Sequence, residues 1–576
     1  MDTQKPRKKI PYALTNFESI RTENYLYVDK TRFIEMLENE NAKYNFLIRP
    51  RKFGKTLFLS VLEHYYDVRF KDRFQELFGD LYIGQHPTNK ANSYFVIRFN
   101  FSGLDTSDVE SFKISFTESI RSNIEMFLID HKDILRNSND LLKQVAERST
   151  VKTYIEFAFG IIKNYGKKAY VIIDEYDHFA NDIIAKGATL SKNQYQESIW
   201  ANSITKDFYE TLKIGTETVV DKIFVTGITP IMLDDLTSGF NISNNLSLKT
   251  HYNEILGLTR KEVEWVMEQI CLDKSLIAVD IEDMYNGYSF HEKAENTLFN
   301  STMIFYYFHE LLSEGKNLKY LIDDNLKTDY GRLRNLINQH DNKEKLRELI
   351  ENNTTDGGII KQFSIEKIHE DKNFFSLLYY MGLVTIDNAN PVKTALKVPN
   401  YSVKTMYWDF IENMLTEELE GLSLDNSKYF DAIYRLAYEN TYEPFFEYFS
   451  KYIVSYLSNR DLQNTVEKDM KFLLLPIFFT SYYYFPISEL ENSEGYTDIY
   501  LKRGHLHPGS VSEWVWELKY IKQKDSKNKK LIAEKKSEAI TRLQDYKSSN
   551  FFKDKNDVRY LAVVFVGKKD YFIEEV

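Results

Sequence analysis

The stretch FLIRPRKFGKTLFLS, residues 46–60, carries an apolar strand into Gly54-Lys55-Thr56 and then into an amphipathic helix. Backbone N–H groups of a tight loop and a helix N-terminus bind phosphate. A lysine after the glycine meets the β- and γ-oxygens, and the hydroxyl beside it ligates Mg2+. Arg49 stands where the first glycine of such a loop is expected. The triplet is short enough to arise by chance, so its surroundings decide what it means.

Those surroundings alternate strand and helix from about residue 12 to 250, the pattern of a parallel sheet with helices on its faces. YNFLIR (44–49), SYFVIRFNF (93–101), KAYVIID (168–174) and KIFVTG (222–227) are short and rich in Val, Ile, Phe and Tyr, as strands buried on both faces are. YVIIDEYDHF ends one of them with Asp174 and Glu175: an aspartate for the magnesium shell, and a glutamate to polarise a water against the γ-phosphate. KIFVTGITP ends another with Thr226, where a polar side chain could sense that phosphate.

The chain has 576 residues, too many for one core, and three or four domains are expected. Its 43% hydrophobic and 28% charged content is that of an ordinary globular protein. A single cysteine, Cys271, excludes an internal disulfide framework and suggests a reducing compartment. The N-terminus has basic residues without an apolar run behind them, so a cytoplasmic location is the expectation. FLLLPIFFTSYYYF (472–485) is too short to span a bilayer and contains Pro476. A net charge of −11 argues against a protein that coats nucleic acid throughout.

From about 258 to 420 the pattern is mainly helical, opening at LTRKEVEWVMEQI with Thr259 and Glu262 in capping-box spacing. FFSLLYYMGLVTIDNANPVKTALKVPN (374–400) reads as a helix and a two-stranded ribbon turned at Asn388 to Pro391, a winged-helix-like unit. From about 461 the order becomes helix, three strands, helix, strand. The expected domains are 1–255, 256–400, 401–460 and 461–576.

A second constellation lies in SEGYTDIYLKRGHLHPGSVSEWVWELKYIK, residues 493–522. Glu517 and Lys519 share one face of a strand by period-two alternation, and a suitable hairpin register brings Asp498 to them. Two carboxylates suit a hard Mg2+ ion, and the lysine can position water or steady the transition state. Glu467 on the preceding helix is a candidate third acid, and Gln544 on the following helix a candidate support. His505 and His507 lack a matching partner and are assigned no metal. The lysines between Lys519 and Lys536 read equally as a phosphate-tracking face or a solvated loop.

YLYVDKT (25–31), FLIRPRKFGKT (46–56), VIIDEYD (171–177), FVTGITP (224–230) and YNGYSF (285–290) together resemble the AAA-ATPase-like family of bacterial proteins. That family often carries a C-terminal nuclease domain of the PD-(D/E)XK type. Its loop reads R-P-R-[RK]-F-G-K-[ST], so Arg49 is a feature of the resemblance. The D-x18-E-x-K layout within αβββαβ likewise resembles the restriction-endonuclease core. One departure stands out: the family approaches its aspartate with a Gly-x-Gly-Arg-like segment, whereas this chain has Gly495-Tyr496-Thr497.

The resemblance implies an α/β chain: a P-loop NTPase domain with a parallel sheet, a helical and winged-helix-like middle, and a nuclease-like end. Arg51, Phe53, Gly54, Lys55, Thr56, Leu57, Asp174 and Thr226 are the expected nucleotide-binding residues, with Thr56 and Asp174 on Mg2+. Glu175 is the expected catalytic residue of the first site. Asp498, Glu517, Lys519, Glu467 and Gln544 are those of the second, where Asp498 and Glu517 hold Mg2+. The expected function is ATP binding and hydrolysis coupled to Mg2+-dependent cleavage of DNA. RNA and a homo-oligomer are left open, and no membrane is expected. The alternative is a nucleotide-dependent switch or scaffold whose nuclease-like domain binds without cutting.

Overall fold

Strands β1 (Tyr44–Ile48), β2 (Tyr94–Asn100), β3 (Lys168–Asp174), β4 (Val220–Gly227) and β5 (Asn244–Asn245) form one parallel sheet in the order β2-β3-β4-β1-β5. They belong to a computed structural model that describes residues 7–40, 42–178, 205–230, 244–277, 279–315, 318, 321–323, 333, 336–337, 342–361, 373–387, 395–418, 426–452, 467–481, 483–504, 512–567 and 570–576. The four apolar runs read from the sequence are β1 to β4. Two-residue β5 is too short to leave a signal. The parallel order brings the carboxyl ends of β1, β3 and β4 to one edge, where α/β sheets place their ligands.

The helix after β1 runs from Lys55 to Tyr66. Asp67 ends it: its backbone is extended and its side chain accepts from Arg69 N, opening a 3-10 helix at Val68–Arg73. The helix Val109–Asp130 packs on β2 and on the helix Val151–Asn164.

In the middle of the chain the helix Arg260–Gln269 starts with the expected capping box of Thr259 and Glu262. The helix Phe374–Met381 leads into an antiparallel sheet of β6 (Thr354–Asp356), β8 (Ala395–Lys397) and β7 (Thr385–Asp387). The ribbon of the sequence reading is β7 and β8; its turn at 388–391 lies outside the described residues, and β6 is an addition to it.

The last part follows the helix Glu467–Ser481 with β9 (Tyr484–Asn492), β10 (Gly495–Arg503), β11 (Glu513–Ile521), the helix Lys529–Ser548, β12 (Val558–Val566) and β13 (Asp570–Glu575). The sheet order is β13-β12-β11-β10-β9, with β11 and β12 parallel and the other neighbours antiparallel. This is the αβββαβ order with one more edge strand, whose DYFIEE is largely exposed. The Glu467–Ser481 helix continues past Pro476, and its apolar residues are core. Among the described residues no helix is long and apolar enough to cross a membrane.

Alternation divides this second sheet. Trp514, Trp516 and Leu518 lie on the face toward the Glu467–Ser481 helix, whose Phe478 ring is 5.2 Å from that of Trp516, whereas Tyr500 and Val515 pack with Ala539, Leu543 and Tyr546 of the Lys529–Ser548 helix. Asp498, Glu517 and Lys519 keep step with Tyr500 and Val515, so they share the second face.

Candidate functional site

Gly54 closes the first loop at φ 94°, a left-handed conformation that costs glycine little, and the helix begins at Lys55. Lys55 Nζ donates to the Arg49 and Pro50 carbonyls at 3.0 and 2.9 Å, folded over the mouth of its own loop. Burial pushes this ammonium down to about 8, against the pull of Asp174, Asp177 and Glu175. Thr56 hydrogen-bonds Asp174, whose carboxyl burial raises against the opposing effects of Arg98, Thr56 and Lys55. Arg98 Nη2 stands 3.7 Å from Asp174 Oδ2. Glu175 follows at φ 53°, a left-handed conformation uncommon outside glycine. His178 Nδ1 lies 3.5 Å from its carboxylate and, against burial, holds that group below its ordinary range. The structure therefore gathers Lys55, Thr56, Asp174 and Glu175 at one place.

The Arg49 side chain takes no part in the loop mouth. Its guanidinium is buried and donates to the carbonyls of Ile48 (2.9 Å), Ser247 (2.7 Å) and Tyr252 (2.8 Å). It lies 4.0 Å over the Phe290 ring. Phe53 packs edge-on against Tyr288 and Phe290, with centroids 4.9 and 5.4 Å apart. The YNGYSF segment is thus the floor beneath the loop.

The side chains of two expected nucleotide-binding residues lie away from the loop mouth. Phe53 is buried in that floor, so its side chain is core. Thr226 is buried with its hydroxyl donating to the Leu47 carbonyl at 2.7 Å, tying β4 to β1 instead of facing the loop. Arg51 lines a cavity with Tyr285, Tyr288 and Gly382. Leu57 and Gly54 line another, an apolar one formed with Tyr27, Val28, Leu256 and Leu258.

At the other end, Asp498 Oδ2 accepts the Leu518 backbone N–H at 2.8 Å, which fixes it between Glu517 and Lys519. Lys519 Nζ lies 2.7 Å from Glu517 Oε1 and 3.4 Å from Glu467 Oε1, so all four expected charged groups meet. Glu517 and Lys519 are both almost wholly buried.

Residues 11–237 match the family described as predicted AAA-ATPase, and residues 466–575 match the PD-(D/E)XK nuclease superfamily. The chain joins these two families. A curated relative, an uncharacterized protein in the vnfD 5' region of Azotobacter chroococcum mcd 1, is 26% identical over 305 residues, which is 52% of this chain and 52% of that one. The match thus spans about half the length of that relative. Among solved structures, the Walker-type ATPase paby2304 of Pyrococcus abyssi is 12% identical, with a TM-score of 0.36 over 70% of this chain and 99% of its own. The Aeropyrum pernix ORC2 protein is 10% identical, with a TM-score of 0.30 over 69% of this chain and 98% of its own.

In the PD-(D/E)XK domain, burial and the neighbouring Asp498 push Glu517 up to about 7, against Lys519 and Tyr546. Burial also raises Asp498, and Lys471 and Lys519 oppose it. Burial would lower Lys519, but Glu517, Glu467 and Asp498 outweigh it and keep the ammonium charged. Two carboxylates forced together fit a divalent cation, which would relieve their repulsion. Among the described residues no group of three or more His, Cys, Asp or Glu is placed to hold a metal. A cation held by Asp498 and Glu517 would therefore keep water or substrate oxygens in its remaining positions, as Mg2+ commonly does.

Gln544 is not part of this cluster: it is exposed, on the side of its helix turned from the sheet. Tyr546, two residues on, is buried, and its hydroxyl lies 3.2 Å from Glu517 Oε2. Lys471 is a further residue the sequence reading missed. It lies one helical turn beyond Glu467, is buried, and pairs with Glu489 beside Asp498. The i, i+4 spacing of Glu467 and Lys471 was the available signal for it. His505 and His507 lie outside the described residues.

Proposed function

We propose that the AAA-ATPase-like domain binds and hydrolyses ATP and that the PD-(D/E)XK domain cleaves DNA with Mg2+. The observation that carries this reading is the convergence of Asp498, Glu517 and Lys519 on one sheet face, in a chain whose Lys55, Thr56, Asp174 and Glu175 also meet.

In the first site, Lys55 would exchange the Arg49 and Pro50 carbonyls for phosphate oxygens, while the N–H groups at the helix start face the same phosphates. The apolar cavity beside Gly54 and Leu57 suits the flat base of the nucleotide. Thr56 and Asp174 would hold the cation of the nucleotide. Glu175, oriented by His178, would align the attacking water. In the second site, Asp498 and Glu517 would hold a cation, and Lys519 would steady charge that develops on the phosphate. At both sites a bound Mg2+ supplies positive charge against phosphate oxygens and acidifies water.

The helical middle region would couple the two domains. Gly382, at the end of the Phe374–Met381 helix, closes on Pro50 so tightly that a Cβ there would come within 2.8 Å of the proline side chain. Lys502 of the nuclease-like sheet lies 3.8 Å from Asp283 of that middle region. A nucleotide cycle felt at Pro50 could thus reach the second site.

Purified protein incubated with single- and double-stranded DNA and RNA, with and without ATP and Mg2+, tests the proposal. Cleavage that needs Mg2+ and disappears in Glu517→Ala supports it. DNA that is bound but never cut leaves the switch or scaffold reading in its place.

A further inference from the structure

The departure at Gly495-Tyr496-Thr497 places a tyrosine two residues before Asp498, on the same side of β10 by strand alternation. Its ring is not used to build the core: Tyr496 is 55% exposed, in a domain that buries most of its aromatics. Its backbone, in contrast, is fixed. The Tyr546 hydroxyl donates to the Tyr496 carbonyl at 2.7 Å, and that hydroxyl also lies 3.2 Å from Glu517 Oε2. One buried phenol therefore ties the strand bearing the exposed ring to the carboxylate of the candidate site.

A cation lies beside the backbone next to this residue. Arg542 precedes Tyr546 by one helical turn, and its Nη1 lies 3.6 Å from where a side chain at Gly495 would begin. Gly495 has a φ of 124° at the tight β9–β10 hairpin, and its bare Cα leaves room for the guanidinium. The basic group missing from the linear segment before Asp498 is thus supplied in space from the neighbouring helix.

We infer that Tyr496 and Arg542 form a recognition subsite for an unstacked base and its phosphate next to the scissile bond, so that the preferred substrate is a single strand or a frayed end. An exposed aromatic face binds any base by stacking, and an arginine beside it tracks the backbone. In a continuous duplex the bases are stacked on each other and offer no free face to the ring. The inference rests on the nuclease reading, because the adjacent Asp498 and Glu517 are what would make this strand a substrate rather than a passive ligand.

The test is equilibrium binding of the full chain to fluorescein-labelled 12-nucleotide single strands and blunt duplexes, DNA and RNA in separate arms, with Ca2+ in place of Mg2+. Tyr496→Ala is expected to weaken single-strand binding about 5- to 100-fold and to leave duplex binding within about twofold, with Tyr496→Phe retaining the wild-type value. Arg542→Gln should reduce the salt slope of single-strand binding by about one counterion. Because Tyr496 is exposed, an unchanged melting curve is expected for its variants. Tyr496→Trp gives a direct signal: quenching of the new indole by single strands and not by duplex. Unchanged single-strand affinity in Tyr496→Ala, or equal losses on both substrates, overturns the inference. The nuclease reading fails by a different result, namely cleavage that survives Glu517→Ala.

Discussion

Arg49 lies 4.0 Å over the ring of Phe290, so the residue that replaces the usual first glycine of the loop is bound to a segment more than two hundred positions away. Burying a guanidinium whose hydrogen bonds go to carbonyls is costly unless they are all kept. Here three carbonyls and an aromatic face receive it. Arg49→Met should destabilise the transition that includes the N-terminal sheet by about 2–4 kcal/mol, and Phe290→Ala by about 3 kcal/mol. Urea unfolding of both variants measures this. A stability unchanged in Arg49→Met would remove its role as the anchor of the loop.

Lys55 has the opposite character. Its ammonium is desolvated and donates to two loop carbonyls, so Lys55→Ala should change stability by less than about 1 kcal/mol. ATP affinity in the same variant should fall by at least about tenfold, the worth of one charge-assisted phosphate contact. Titration calorimetry with ATP and Mg2+ checks both halves, and full ATP turnover in the variant contradicts the assignment.

Asp498 and Glu517 raise one another's cost of ionisation, so removing either charge should leave the metal-free protein as stable as before or more so. Asp498→Asn and Glu517→Gln are expected to keep or raise the melting temperature in EDTA, to lose the stabilisation given by added Mg2+, and to abolish cleavage. Lys519→Met should instead lower stability by about 3 kcal/mol, because it leaves Glu517 buried without its cation. A Mg2+-induced shift that persists in Glu517→Gln would show that the cation binds elsewhere.

Asp67 gives a pH test away from both sites. Burial alone would raise it, but His131 Nε2 at 3.0 Å and Arg69 Nη2 at 3.1 Å outweigh burial and hold its carboxyl below the ordinary range. A depressed folded-state value means stability that is present above the unfolded value, roughly pH 4, and lost as pH falls through the lower folded one. Asp67→Asn should therefore cost about 3 kcal/mol at pH 7 and progressively less below about pH 4. Unfolding midpoints of the two proteins between pH 3 and 7 should converge at the acid end.

How much of this was legible in the sequence follows the reach of each signal. Gly54-Lys55-Thr56 is a local sentence: a strand, a left-handed glycine and a helix start occupy consecutive positions, and the fold keeps them so. Asp174 and Glu175 could be found because they end an apolar run, and strand ends in a parallel sheet share an edge. Thr226 met the same criterion, yet its hydroxyl bonds to the neighbouring strand. Gln544 and Tyr546 differ by only two residues on one helix. Which of them faces the sheet depends on helix rotation, set by the burial of Ala539 and Leu543.

Consecutive residues were enough for the class of fold, for β1 to β4 and β7 to β12, for both carboxylate-bearing strand ends and for the loop, because periodicity and short spacings are local. Packing in three dimensions made Arg49 an anchor and Phe53 the floor, and it set Lys471 and Tyr546 beside Asp498 and Glu517. Those relations depend on helix rotation, strand register and the docking of distant segments, which are settled by the packing of the whole core and leave no mark at fixed spacing along the chain.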